Sequence, residues 1–469
     1  MSFSFRLLQF KSVLVLFVLV CTGCGKTSYD NRLPDTSHLG IVRGLRTVRV
    51  ISHLHSPYSY DACDKNGMPD GQVNQSCIDH IRESMCINHV DMAFLTDHPD
   101  RMASTPFSDL LLPRPGDSIT SIAQNNYVNT LAGCSDGFRP QLSVGFEGRL
   151  LALGMENHLN PEEEDLAALY EDETEALRNR LDLETKALVI IPHTESRTVD
   201  LIKSIKPDGI EIYNVHANLD PKIRKTSFHK PPFQFMPAVA TYLIDPYKDL
   251  VPDFAFMSFI EFSNIYFEKW NTLIYENEQG SNLTGLAGTD GHENVFPQKV
   301  ADGERFDSAR RIMRFISNYV LAPDRDINSI KSAIKAGRSY VVTEGLGTPM
   351  GLDYFAQLGE SFTSVGGSVS LAGGAVQLKV ALPSLYSESP HGSNKPSIRI
   401  ELRQVLDQGV DKVVATATNE ALTYQTLTPG AYRTHIYITP HHLKPFLGPF
   451  EDLTKNEYLW IISNHIILN

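Results

Sequence analysis

Val48-Arg49-Val50-Ile51-Ser52-His53-Leu54-His55 is the stretch on which the reading of this chain turns. Val48 to Ile51 reads as a strand and leads into two histidines at i and i+2. In a strand that spacing puts both imidazoles on one face, where they can share an ion. The same grammar recurs downstream. Val90 to Leu95 leads into Asp97 and His98, Leu142 to Phe146 into Glu147, and Ala187 to Ile191 into His193. Gly209 to Ile212, carrying Glu211, leads into Asn214, and Leu286-Ala287 leads into Asp290 and His292. Pro161 to Leu183 and Asp307 to Val320, lying between these strands, read as helices. Strands alternating with helices predict a parallel sheet or barrel, an α/β fold. Chemistry gathered at strand carboxyl ends is where (β/α) barrels keep their active sites.

Five of the 16 histidines stand at or just past a strand end, most with an acidic residue close by. Packing alone does not explain that shared placement. His38, His229, His391, His441 and His442 lack it and read as surface residues. His98 reads as a metal ligand and Asp97 as a residue that orients a histidine from behind. Glu147 is preferred over Glu156 because it closes its strand directly, and a carboxylate can bridge two ions where a neutral imidazole cannot. His158 follows in Glu156-Asn157-His158. Asp61, at the end of the loop from Ser56, can reach back toward the His53–His55 pair. Asp290-Gly291-His292 is a second i, i+2 pair, in a glycine-rich loop suited to close approach of backbone to ions. Arg149, Arg197, Asn214 and His216, all near strand ends, are the candidate substrate contacts.

In this order the motifs resemble those of the polymerase and histidinol phosphatase (PHP) family of metallohydrolases. That family shows H-x-H, T-D-H, a Glu with a later His, a His after an apolar strand, and a final D-x-H. The match covers roughly residues 48 to 345 and includes a closing segment, Ala333 to Val341. The end of the chain, Tyr458 to His465, is similar to the β-rich tail of many exported members, although His465 stands where those often have proline. The resemblance implies a distorted (β/α)7 TIM-like barrel holding two or three divalent ions, commonly manganese, iron or zinc. His53, His55, Glu147 and Asp290 would hold one ion, and Glu147, His158 and His193 a second. Asp61, His98 and His292 would hold a third, with Asp61 one residue off the family's usual spacing. Ions so held would share a hydroxide able to attack phosphorus or a carbonyl carbon. Asp290 would accept the nucleophile's proton, and His292 would serve the leaving group. The implied activity is that of a phosphoesterase acting on a small-molecule ester. Carbamate or amide hydrolysis on the same metals is one alternative, and a surface binding protein with structural metals is another.

The 469 residues exceed one compact core. Beyond about residue 350 Gly, Ser, Thr and Val dominate, and alternating runs such as Val376 to Val380 and Ile398 to Leu402 predict a smaller all-β, sandwich-like domain. The expected layout is a signal peptide at 1–23, a lipidated tether at 24–46, the metallohydrolase barrel at 47–348 and the β-domain at 349–469. Arg6 and Lys11 precede an apolar run, Val13 to Cys21, too short to span a bilayer but suited to a signal peptide. Val20-Cys21-Thr22-Gly23-Cys24 resembles a bacterial lipobox, with Cys24 as the lipidated residue. Gly25 in place of Asp is the pattern that directs such lipoproteins to the outer membrane, facing the periplasm or the cell surface. Residues 1–23 hold two basic residues and no acidic one, so their removal takes the net charge from −13 to −15. That acidity argues against nucleic acid as a partner. The expected membrane contact is the lipid anchor alone. Cys63, Cys77, Cys86 and Cys134 allow up to two disulfides in three connectivities, and Cys63–Cys77 is favoured because the pair flanks a loop rich in Gly, Asp, Asn and Pro. Neither C-x-x-C spacing, a G-x-S-x-G elbow nor a phosphate-binding P-loop appears in the chain after residue 23.

Overall fold

From Val48 to Leu54 every residue of strand β1 (Leu45–Leu54) is buried. Cover on both faces is what a parallel sheet requires. The computed structural model describes residues 29–122, 125–160, 165–234, 236–242, 251–276, 282–386 and 394–469. In it β1 pairs in parallel with β2 (Met92–Leu95), and β2 with β3 (Gln141–Glu147). An antiparallel strand, β4 (Leu151–Met155), joins β3 to β5 (Leu188–Ile191). β5 then runs parallel to β6 (Gly209–Asn214), and β6 to β7 (Thr284–Gly288). All of these strands except β4 therefore point the same way. The run also returns on itself. Leu54 bridges to Gly291 just beyond β7, the Asp290 N–H donates to the His53 carbonyl at 2.9 Å, and the His55 N–H donates to the Gly291 carbonyl at 3.1 Å. The carboxyl ends of β1, β2, β3, β5, β6 and β7 are thereby gathered at one end.

Two helical expectations are corrected. Asp307 to Val320 is not one helix. Its helix is short (Ala309–Phe315) and is followed at once by strand β8 (Ser317–Ala322). β8 lies antiparallel between β1 and β9 (Ser339–Val342). No glycine or proline separates helix from strand, so apolar periodicity carries no mark of the break. Of Pro161 to Leu183, residues 161–164 lie outside the described residues, and the remainder is broken into Leu166–Tyr170 and Glu175–Arg180, followed by a further helical turn from Leu181. The helix Ile327–Lys335 ends at Gly337, with φ 71°.

The carboxyl-terminal part is a second, β-rich region. Tyr354–Leu358, Ser361–Ser364, Val376–Val380 and Leu422–Thr426 form a four-stranded sheet. Strands β10 (Ser397–Val405), β11 (Gly430–Thr439) and β12 (Tyr458–Ser463) belong to the main sheet instead, because β12 pairs antiparallel with β9. The sequence texture changes near residue 350, but the hydrogen bonding runs across it. His442, expected at the surface, is buried with Nε2 3.1 Å from the Leu346 carbonyl. His391, the expected signal segment and Cys24 lie outside the described residues. Among the described residues no helix is long and apolar enough to cross a membrane. The cysteines pair as Cys63–Cys77 and Cys86–Cys134.

Arg49 ties strand β1 to the segments around it. Its guanidinium is wholly buried, bidentate on Glu344 at 2.8 Å, and also reaches the carbonyls of Pro34, Asn88 and His89. Removing one partner of a buried pair strands the other charge, which costs about 3–5 kcal/mol. Arg49→Met should therefore lower the unfolding free energy by that order in denaturant titration. A loss below about 1 kcal/mol would mean that water already reaches the pair.

Candidate metal centre

Strand β1 delivers His53 and His55 side by side, with Nε2 atoms 3.2 Å apart. Glu147, closing β3, places Oε2 3.2 Å from each of those nitrogens. Asp290, past β7, places Oδ1 at 3.5 and 3.3 Å from them. Ligand atoms about 2.0–2.1 Å from a shared tetrahedral ion stand about 3.3–3.4 Å apart. The observed separations match those edges, so the four residues fit one divalent ion. Asp290 Oδ1 is moreover buried without a hydrogen-bond partner, as is His292 Nε2. Buried polar atoms rarely go unpaired unless an ion or water takes them.

The two carboxylates extend the centre sideways. His193 Nε2 lies 3.2 Å from Glu147 Oε1 and 3.2 Å from Asp290 Oδ2, the oxygens turned away from His53 and His55. On the other side Asp61 Oδ2 lies 3.3 Å from His292 Nε2 and 3.7 Å from His98 Nε2. His55, Asp61, His98 and His292 form a second group with metal-binding spacing, and His216, Asp290 and His292 a third.

Each imidazole is aimed by its other nitrogen. His53 Nδ1 meets Glu211 Oε1 at 2.7 Å, His55 Nδ1 the Ser59 hydroxyl at 2.7 Å, and His193 Nδ1 Glu195 Oε1 at 3.1 Å. His98 Nδ1 faces the Glu147 carbonyl at 3.1 Å, and His292 Nδ1 the Asp290 carbonyl at 3.0 Å. With Nδ1 so engaged, Nε2 is the atom presented inward. Gly288 makes room for the Glu211 contact, since a Cβ there would stand 1.8 Å from Glu211 Oε1. His193 (φ 47°) and Asp290 (φ 51°) both sit in the left-handed region. Such strain on residues other than glycine persists where surrounding contacts impose it, as at binding centres.

Electrostatics follow from this crowding. Burial opposes charge on His53, but Glu147, Asp290 and Glu211 outweigh it and hold the imidazolium well above its ordinary range. His193 is raised in the same way by Asp290, Glu147 and Glu195. Burial also opposes charge on His98, yet Asp61 and Glu147 lift it to about 9. Burial disfavours the anions of Glu147 and Asp290, and the surrounding imidazoles, His53 foremost, still bring both well below the carboxylate range. A cation bound among these carboxylates would displace the protons on the imidazoles.

The structure brings His53, His55, Asp61, His98, Glu147, His193, Asp290 and His292 together, but not His158. Its Nε2 lies 2.9 Å from the Thr105 carbonyl and its Nδ1 3.2 Å from the Tyr170 hydroxyl, so both nitrogens are occupied elsewhere. Asn214, expected as a substrate contact, lies behind the carboxylates and does not line the cavity beside them. It is buried, donates to Glu211 Oε2 and Asp290 Oδ2, and caps a helix turn through Ala217 N. Asp97 anchors the turn after His55 through Ser56, where a histidine partner was expected. Arg149, Arg197 and His216 line a cavity of about 550 Å³ that opens on the centre, and Arg197 pairs there with Glu173 at 3.0 Å. A larger cavity, about 650 Å³, lies between Tyr29 and His442 and is lined by none of the ligand candidates. Glu211 stood in the sequence as a charged residue inside an apolar strand, a signal in itself. Ser59, Glu195 and Tyr266, whose hydroxyl donates to Glu195 at 2.8 Å, carried none.

No family model matches the chain, and no curated protein does. Among solved structures it is similar to a two-domain protein containing a predicted PHP-like metal-dependent phosphoesterase from Bacteroides vulgatus. That match has 12% identity and a TM-score of 0.36, over 87% of this chain and 94% of that one. It is also similar to PsfC from Pseudomonas syringae, with 12% identity and a TM-score of 0.31, over 61% of this chain and 87% of that one. At that identity and overlap neither neighbour assigns a function, and the functional reading rests on the side chains.

Glu211→Gln removes the carboxylate behind His53 and should weaken metal binding about 10–100-fold, measured by competition with a chromophoric chelator; unchanged affinity would leave Glu211 without a role. Because His98 stays protonated up to about 9 in the ion-free centre, metal uptake at neutral pH should release protons. Affinity should then fall as pH is lowered, and calorimetry in buffers of different ionisation enthalpy will count the protons. Zero release would contradict the displacement.

Proposed function

We propose that the chain is a metal-dependent hydrolase that cleaves a small-molecule phosphoester. The observation that carries this reading is the grading of the centre from closed to open. The His53 and His55 side chains are fully buried, while those of His98 and His193 are 22% and 26% exposed on the cavity wall. Structural metal sites are closed, whereas catalytic ones keep a position for water or substrate. Imidazoles with carboxylates and no thiolate suit manganese, iron or zinc. Such ions lower the pKa of water toward about 7 and neutralise charge that develops on the ester oxygens.

The chain's own residues supply placement. Glu147 and Asp290 would each be able to serve two positions through their separate oxygens. Asp290 would also be the carboxylate to accept a proton from the attacking water. Burial and the neighbouring His55 bring His292 down to about 3, so it is neutral at pH 7. With Nδ1 turned to a carbonyl, its Nε2 accepts, which suits a ligand better than a donor to the leaving group. Arg149 and Arg197 are the groups at the cavity wall suited to an anionic substrate.

The same reading takes the chain as an exported PHP-like protein and the ring of strands as a distorted seven-stranded barrel. Cys24 would anchor it by lipid to the outer membrane, and two disulfides accord with an oxidising compartment. The test is turnover by residues 25–469, reconstituted with manganese, zinc or iron, on a panel of aryl phosphates, phosphodiesters, esters, carbamates and amides. Metal-dependent phosphoester cleavage is expected, with kcat/KM falling by about 10³-fold or more in His53→Ala and Asp290→Ala. Preference for carbamates or amides would replace the substrate class. Failure to retain metal would end the hydrolase reading.

A further inference from the structure

We propose that Tyr266 and Lys269, on the helix Asn264–Tyr275, are positioning residues for His193 and link the β-rich region to the metal centre; this rests on the reading of His193 as a ligand. His193 opens the loop 193–197 in a left-handed conformation, φ 47°. A residue so placed needs the structure around it to keep it there. Lys269 does this for the backbone. Its Nζ donates to the carbonyls of Thr194, Glu195 and Arg197 at 2.8, 3.0 and 2.5 Å. Three carbonyls of one short loop thus converge on a single ammonium and fix the loop's curvature. Tyr266 does it for the side chain. Its buried hydroxyl donates to Glu195 Oε2 at 2.8 Å, and Glu195 Oε1 meets His193 Nδ1 at 3.1 Å. Tyr266 and Lys269 are three residues apart, hence neighbours on one face of the helix.

The helix is gripped from the other side by the β-rich region. Asn271 donates to the Gly409 carbonyl at 2.9 Å and accepts from the buried guanidinium of Arg433. Arg433 sits on β11 and also bonds Asp411, His435 and His465. A polar chain therefore runs from Arg433 through the helix to Glu195 and His193. None of its links is a ligand candidate except the last, so each acts on the centre through His193.

The test compares the wild type with Tyr266→Phe, Lys269→Met, Lys269→Arg and His193→Ala, each stripped and reloaded with cobalt(II). The readouts are metal stoichiometry, affinity and the visible cobalt spectrum, with folding followed by near-ultraviolet dichroism. His193→Ala should lose about one equivalent and its part of the spectrum. Tyr266→Phe and Lys269→Met should weaken that same class of site about 10–100-fold and shift its bands, as loss of an outer partner does, while the remaining sites keep their affinity. Lys269→Arg should recover part of the loss. Wild-type affinity and spectrum in both Tyr266→Phe and Lys269→Met, with His193→Ala altered, would overturn the positioning role. No change in His193→Ala would instead remove His193 from the ligand set, and the proposal with it. Should Lys269→Met fail to fold, Tyr266→Phe, which deletes one oxygen, decides the question.

Discussion

Buried carboxylates must be neutralised, and at the strand ends of this protein lysine and arginine do not do it. Glu147, Asp290 and Glu211 are all buried, yet their ion-pair partners among the described residues are imidazoles alone. Elsewhere the same chain buries acids against guanidinium groups, as with Arg49 on Glu344 and Arg310 and Arg311 on Asp253. The contrast carries physical weight. An isolated buried carboxylate is costly, and proteins avoid it by pairing, protonation or metal coordination. A permanently charged arginine would close the question at the centre. Imidazoles leave it open, because they give up protons to an incoming cation.

The scaffold serves that constraint through direction. Because β1, β2, β3, β5, β6 and β7 are parallel, residues at or near their carboxyl ends reach a common volume. The antiparallel β4 contributes spacing, and no ligand candidate sits on it. His193 and Asp290, both in the left-handed region, complete the set.

This explains what could be read in the sequence. Alternating strands and helices, and histidines at strand ends, are local patterns, and a local pattern survives into the fold. His53-Leu54-His55 is the clearest case, since spacing alone puts both rings on one face. His158 shows the limit. Its place in the order of motifs matched the resemblance, but the decision between the centre and the Thr105 carbonyl lies in the packing of a different segment. Tyr266 and Lys269 were invisible for the same reason, being ordinary helix residues until tertiary structure sets them against the 193–197 loop. The end of the short helix before β8 was hidden because no breaker residue marks it.

The carboxyl-terminal region belongs to this logic more closely than its distinct texture suggests. β7, the strand that carries the Asp290 loop, pairs with β6 on one side, and its other edge is met by side chains. Asn318 of β8 accepts from Ala287 N and donates to the Ala287 carbonyl, both at 2.9 Å. Asn464, five residues from the end of the chain, accepts from Gly285 N at 2.7 Å and donates to the Gly285 carbonyl at 3.2 Å and the Ser339 carbonyl at 3.1 Å. Along β7, before the run returns to β1 at Gly291, two amides therefore take the place of a paired strand among the described residues, at alternate residues where β7 presents both its N–H and C=O. An unpaired edge would cost these buried groups their hydrogen bonds. The residues that satisfy them come one from inside the α/β part and one from the last strands of the chain. The β-rich region is thus a lateral support for the strand that positions Asp290, and β9 and β12 share hydrogen bonds across the change in texture.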